Sequence, residues 1–106
     1  MNRGDVHEFR PPRGTRGHEQ RGKRFGVVLQ SSDLSALSTV VVAPTSVSAA
    51  RSWLRPEIEL RGRITRVLVP QLAAVDRSRL GTRAGRLSAD EALAVEEALR
   101  GLFALR

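Results

Sequence analysis

The sequence predicts an α+β domain, a small antiparallel barrel of short strands closed by one C-terminal helix. Three observations carry this expectation. Short runs rich in β-branched residues recur through most of the chain, polar and Gly/Pro-containing segments separate them, and a single amphipathic stretch with a helix-start signature comes last. A length of 106 residues predicts one domain spanning 1–106, and 41% apolar residues suffice for one modest core. A fold of this size gains stability by burying further surface, so a homodimer is expected.

The elements follow in order. Residues 4–9 (GDVHEF) alternate weakly and predict a strand. Residues 10–24 hold two prolines, three glycines and six basic side chains, a composition that cannot sit in a β-ladder and predicts a long mobile loop. Phe25–Gln30 (FGVVLQ) and Thr39–Ala43 (TVVVA) predict two strands buried on both faces, with the polar segment SSDLSALS between them and Pro44 as the stop of the second. Residues 46–56 read as a second loop. Glu57–Leu60 and Thr65–Val69 flank Arg61-Gly62-Arg63, a hairpin turn, and Leu72–Val75 predicts a further short strand. Ser88 and Glu91 match a capping box, S-x-x-E, in which each side chain satisfies a first-turn amide. Ala92, Val95, Leu99, Leu102 and Phe103 then fall on one helix face as core, and Glu96 with Arg100 forms a surface pair four residues apart.

Charge narrows the function. The net charge is +7, and Lys23 is the single lysine among eighteen basic residues. Guanidinium groups pair bidentately with phosphate and stack on bases, so a polyanion is the expected partner. The excess is concentrated at one end: Arg3, Arg10, Arg13, Arg16, Arg21, Lys23 and Arg24 stand against three acids in residues 1–25. Absent cysteines exclude disulfides and thiolate-bound metals, and no apolar run is long enough to span a membrane. With no apolar h-region near the start, a cytoplasmic location is expected.

The catalytic options are few. His7 and His18 are the only histidines and neither lies in an acidic cluster, so no metal or cofactor is expected. No G-x-S-x-G elbow is present. His18 sits in the basic loop, where it is a candidate acid or base, whereas His7 in its strand reads as structural. Arginine and hydroxyl chemistry remains. RNA carries its own nucleophile, the 2′-hydroxyl, so a ribonuclease needs only to align it, stabilise the phosphorane-like transition state and move two protons. An arginine with a nearby Thr or Ser hydroxyl can grip the phosphate.

Five stretches carry a resemblance. Gly4-Asp5-Val6, then Pro11-Pro12-Arg13-Gly14 and GHEQRGKRFGVVLQS (17–31), then TVVVAPTS (39–46), then VPQLAAVDRSRLGTRAGRLSADEALAVEEALRGLFAL (69–105) are similar in order and spacing to MazF/PemK toxins over nearly the whole chain. The resemblance implies a CcdB/MazF-type, SH3-like barrel that dimerises and cleaves single-stranded RNA at a short sequence, leaving 2′,3′-cyclic phosphate and 5′-hydroxyl ends. It also implies a cognate antitoxin with an acidic, flexible tail. By position it implies that Arg24 is the catalytic arginine and that Thr45, or Ser46 under a one-residue slip, is the catalytic hydroxyl. Glu19 and Gln20 match the loop acid and amide that shape the loop and touch a base. The basic loop residues Arg13, Arg16, Arg21 and Lys23, with His18, and Gln71 are the expected RNA contacts. Glu19 and His18 are the candidate general bases.

The chain departs from the family pattern at Phe25, where a proline is usual, and at Ala73, where an arginine follows the Gln-containing pair; the 10–24 loop is also extended. Trp53 lies between Arg51 and Arg55, placed either to stack on a splayed base or to pack at a core edge or dimer interface. Three other functions fit the same features in part: a CcdB-like gyrase-binding toxin without nuclease activity, a non-enzymatic nucleic-acid-binding barrel, and an inactive relative.

Overall fold

The computed structural model describes residues 1–10 and 24–106. Seven strands and one helix follow in order: β1 (Asp5–Phe9), β2 (Phe25–Val28), β3 (Thr39–Ser46), β4 (Glu57–Leu60), β5 (Arg63–Val67), β6 (Ala73–Asp76), β7 (Leu80–Arg86) and α1 (Ala89–Leu102). The strands pair antiparallel in the order β4-β5-β3-β2-β1-β7, with β6 also on β3. The result is a curled half-barrel sheet with one C-terminal helix, the expected α+β architecture.

β3 organises the sheet because it changes partner along its length. Thr39–Val42 pair with Asp76–Ala73 of β6, whereas Thr45 and Ser46 pair with Val67 and Arg66 of β5. Pro44 was expected to stop this strand, but β3 runs through it to Ser46. The change of partner explains why proline is tolerated. The carbonyl of Pro44 accepts from Leu68 N–H at 2.8 Å, so the side on which proline lacks a donor faces the switch between β5 and β6, where the ladder is already interrupted.

Alternation sorts the apolar residues into two cores. Val6, Val27, Leu29, Ala43, Ile58, Leu60, Val67 and Val69 pack with Val95 and Ala98 of α1. On the other face of the sheet, Val28, Val40, Val42, Val75 and Leu80 pack with Phe9. β2 and β3 are therefore buried on both faces, as their continuous apolarity predicts. Each fully buried valine or isoleucine contributes roughly 1.5–3 kcal/mol through burial.

Other details differ from the sequence reading. The β4–β5 turn is Arg61-Gly62 alone, both at positive φ (53° and 79°), a two-residue turn whose twist matches the strands; Arg63 already belongs to β5. The strand β7 has too little apolar content (LGTRAGR) to announce itself. On α1, Ala98 is fully buried while Ala92 and Phe103 are exposed, because Phe103 is already the C-cap, beyond the regular spacing. The capping box of Ser88 and Glu91 is present, and Glu96 pairs with Arg100 at 3.0 Å. No helix among the described residues is long and apolar enough to cross a membrane.

Candidate functional site

One edge of the sheet gathers the end of β1, the start of β2 and the end of β3. Phe9 N–H donates to the Arg24 carbonyl at 2.8 Å, extending the β1–β2 ladder to Arg24. Gly26 pairs with Pro44, and Thr45 Oγ1 donates to the Phe25 carbonyl at 3.3 Å. Arg24 thus lies beside the end of β3, where Thr45 and Ser46 follow.

The faces of these residues differ. Phe25 and Val27 pack on the helix-covered core, as do Val41 and Ala43, while Val28, Val40 and Val42 belong to the other. By the period of two, Thr45 falls on the face of Phe25, and Ser46 on the face of Gly26 and Arg24. The Thr45 hydroxyl is engaged with the sheet's own backbone. Arg24 is exposed, and Ser46 is half-buried with its Oγ 3.3 Å from Ser48 N–H and from Ser48 Oγ, a local turn that fixes the hydroxyl. An arginine and a serine hydroxyl therefore share one face at one edge.

Arg66 joins this edge and was not among the expected residues. It pairs with Ser46 across β3–β5, on the face opposite buried Thr65 and Val67. Its guanidinium donates to the Arg55 carbonyl at 2.9 Å and to Glu57 Oε1 at 3.1 Å; its side chain is only 14% exposed. The alternation in RITRV could have placed it, but the expectation that β3 ended at Pro44 concealed the pairing. Arg10 and Arg79 add further positive charge here, exchanging backbone and side-chain bonds (Arg10 N–H to Arg79 O 2.8 Å, Arg79 Nε to Arg10 O 2.9 Å), with Arg79 stacked 4.6 Å over Phe9.

Other expected residues fall as follows. Gln71 is exposed in the turn Val69–Gln71, which follows the Leu68–Pro44 bond and so lies beside the switch in β3. Arg13, Arg16, His18, Glu19, Gln20, Arg21 and Lys23 lie outside the described residues. Trp53 is 64% exposed. His7 is buried, with Nδ1 bonded to the Gly81 carbonyl at 2.9 Å, so Nδ1 carries the proton; its position inside the sheet agrees with a structural reading.

Away from this edge, buried Asp5 receives Asn2 N–H at 2.9 Å and ion pairs from Arg86 (2.8 Å) and Arg83 (3.3 Å). Burial alone would raise its pKa, but the Asn2 amide and the two guanidinium groups outweigh it and hold the carboxyl below its ordinary value.

Comparison with known proteins places this geometry. Residues 2–103 match the model of the PemK-like, MazF-like toxins of type II toxin–antitoxin systems. The toxin candidate Rv3098A of Mycobacterium tuberculosis is 42% identical over 73 residues, which cover 69% of this chain and 68% of that protein. Among solved structures, MazF of Deinococcus radiodurans superposes with a TM-score of 0.79 at 21% identity, over 99% of this chain and 97% of that one. An endoribonuclease solved in complex with its cognate antitoxin, from a mycobacterial species, superposes with a TM-score of 0.80 at 13% identity, over 100% and 97%. The two superpositions fix the fold, and the family match together with the mycobacterial relative fixes the lineage: the chain belongs to the PemK-like, MazF-like toxins of type II toxin–antitoxin systems.

Proposed function

We propose that the chain is an endoribonuclease toxin that cleaves single-stranded RNA without a metal, using Arg24 and Ser46 as its catalytic pair. The observation that carries this reading is the shared face of these two residues at the sheet edge, in a family whose relatives include an endoribonuclease. The 2′-oxygen attacks phosphorus as its proton leaves to a base, the P–O5′ bond breaks, and O5′ takes up a proton. The products are a 2′,3′-cyclic phosphate and a 5′-hydroxyl. Arg24 stabilises the non-bridging oxygens as their charge develops, and the Ser46 hydroxyl donates to the same phosphate. Of the two hydroxyls open from sequence, the structure favours Ser46, since Thr45 Oγ1 is bonded within the sheet. Gln71 and the basic residues of 11–23 supply RNA contacts, and Glu19 and His18 remain the candidate general bases. A homodimer and an antitoxin with an acidic tail, both expected from the sequence, complete the proposed assembly; the mycobacterial endoribonuclease was solved with its cognate antitoxin. The gyrase-binding alternative is disfavoured, because it has no use for a phosphate-gripping pair.

The test is incubation of the purified protein with a long unstructured RNA in EDTA, followed by mapping of the ends. Discrete cuts at a shared short sequence with 5′-hydroxyl ends are expected, and Arg24→Ala should lower the rate by orders of magnitude. Arg24→Lys should also be poor, because one ammonium cannot reproduce a two-pronged contact. Intact RNA with folded protein, or an unimpaired Arg24→Ala, overturns the proposal.

A further inference from the structure

Trp53 is the only tryptophan, and the chain has no tyrosine. The indole is 64% exposed, an unusual place for the largest apolar side chain of a small domain. Its backbone is nevertheless stapled. Leu54 N–H donates to Ser52 Oγ at 3.1 Å and Arg55 N–H to the Ser52 carbonyl at 2.9 Å, making a tight turn with Trp53 at its tip. Arg55 Nε donates to the Ala50 carbonyl at 2.9 Å, and the Glu57-held Arg66 reaches the Arg55 carbonyl. Leu54 packs against the helix-covered core.

The ring itself has a seat. Its outer edge lies on Gly101 near the end of α1, so close that a Cβ there would come within 2.5 Å of Cζ3 and nearer still to Cη2. Glycine inside a helix destabilises it relative to alanine, and here the missing methyl makes room for the indole. The arrangement is a flat aromatic surface, fixed at its root and along one edge and open elsewhere, with Arg51 and Arg55 flanking it in sequence.

We propose that Trp53 is a nucleobase-stacking platform of the RNA-binding surface, with Gly101 as the seat that orients its ring and Arg51 set to meet the backbone phosphate of the stacked nucleotide. This rests on the endoribonuclease reading and adds a subsite to it. Single-stranded nucleic acid suits the surface because every base offers a π-face and every linkage a negative charge, which pair with an indole and a guanidinium. A preformed ring loses little freedom on binding.

The single tryptophan makes the test direct, since intrinsic emission reports Trp53 alone. A short mixed-sequence 2′-O-methyl oligoribonucleotide pool, which lacks the attacking hydroxyl, is titrated into the full chain, with anisotropy of a labelled copy reporting binding. Emission should be quenched in step with anisotropy by the base-bearing pool and not by an abasic strand of equal length. Trp53→Ala should weaken binding roughly 5- to 100-fold, the range one stacked base supplies, and Trp53→Phe should restore most of it. Gly101→Ala should shift the emission and weaken binding while leaving thermal stability equal or higher, because alanine is the better helix former.

Binding without any change in emission, or Trp53→Ala cleaving ordinary RNA at wild-type KM, overturns the platform and leaves the nuclease reading standing. A blue shift that grows with protein concentration in the absence of RNA means that a second copy covers the ring, and also overturns it. Neither binding nor cleavage by folded protein removes both readings together.

Discussion

Thr45 and Ser46 are neighbours in the chain, and both are hydroxyl residues at the end of β3, yet successive side chains of a strand leave opposite faces. On the proposed assignment, a single residue separates the structural hydroxyl of Thr45 from the catalytic one of Ser46. Ser46→Ala should lower kcat about 10²–10³-fold, the usual cost of removing one donor to a developing oxyanion, with the melting temperature nearly unchanged. Thr45→Val should do the reverse: cleavage within a few-fold of wild type and a loss of about 1 kcal/mol from the bond to the Phe25 carbonyl. Loss of cleavage in Thr45→Val with Ser46→Ala spared would return the assignment to Thr45. Asp5 gives a second residue-level expectation. Its folded pKa lies below the ordinary 3.8, so its contribution to stability is present above that value and is lost as pH falls through the lowered one. Thermal unfolding of wild type should thus become steeply pH-dependent below about pH 4, and Asp5→Asn should be less stable at neutral pH with a flatter acid limb. An unchanged acid limb in the variant would show that other carboxylates carry it.

At the scale of elements, the edge strand β4 and the helix are joined by one side chain. Glu91 closes the capping box on Ser88 N–H at 2.9 Å and with its other oxygen accepts Glu59 N–H at 2.8 Å, a donor on the outer edge of the sheet. Glu91→Ala removes both bonds, and urea unfolding should show a loss of about 1–2 kcal/mol, more than a cap alone commonly contributes in a peptide. A loss no greater than that of Ser88→Ala would mean that the bond to β4 adds nothing. The first half of this contact was legible in the sequence, since S-x-x-E is a local code; the second was not, because β4 lies 32 residues away. The same division holds elsewhere. β2, β3 and the helix announce themselves through apolar runs and spacing, and the hairpin through Arg61-Gly62. Strand β7 is built mostly from Gly, Arg and Thr, and its place is set by pairing with β1 rather than by its own composition. Arg24 and the Thr45/Ser46 choice came from resemblance, whereas the alternation in RITRV gives only the face of Arg66, and its place beside Ser46 needed the register of β3 on β5.

Over the whole molecule, the net charge of +7 is distributed by which guanidinium groups the fold pairs with carboxylates and which it does not. Asp5 holds Arg83 and Arg86, Glu57 holds Arg66, and Glu96 holds Arg100, so these charges are in part neutralised within the fold. Arg10, Arg24 and Arg79 stand instead around the edge that carries Ser46, and residues 11–23, between Arg10 and Arg24 in sequence, add Arg13, Arg16, Arg21 and Lys23. If about four cations meet phosphates there, the logarithm of the affinity for single-stranded RNA should fall with the logarithm of salt at a slope of about −3, or about 50-fold between 50 and 200 mM. The slope also separates the two kinds of RNA contact proposed for Arg51 and Trp53. Arg51→Gln should make it shallower by about 0.7, because one phosphate contact and its displaced counterion are gone, whereas Trp53→Ala should lower affinity at every salt concentration with the slope unchanged. A Trp53→Ala variant that changes the slope as an arginine variant does would mean that the indole acts by positioning charge, not by stacking on a base.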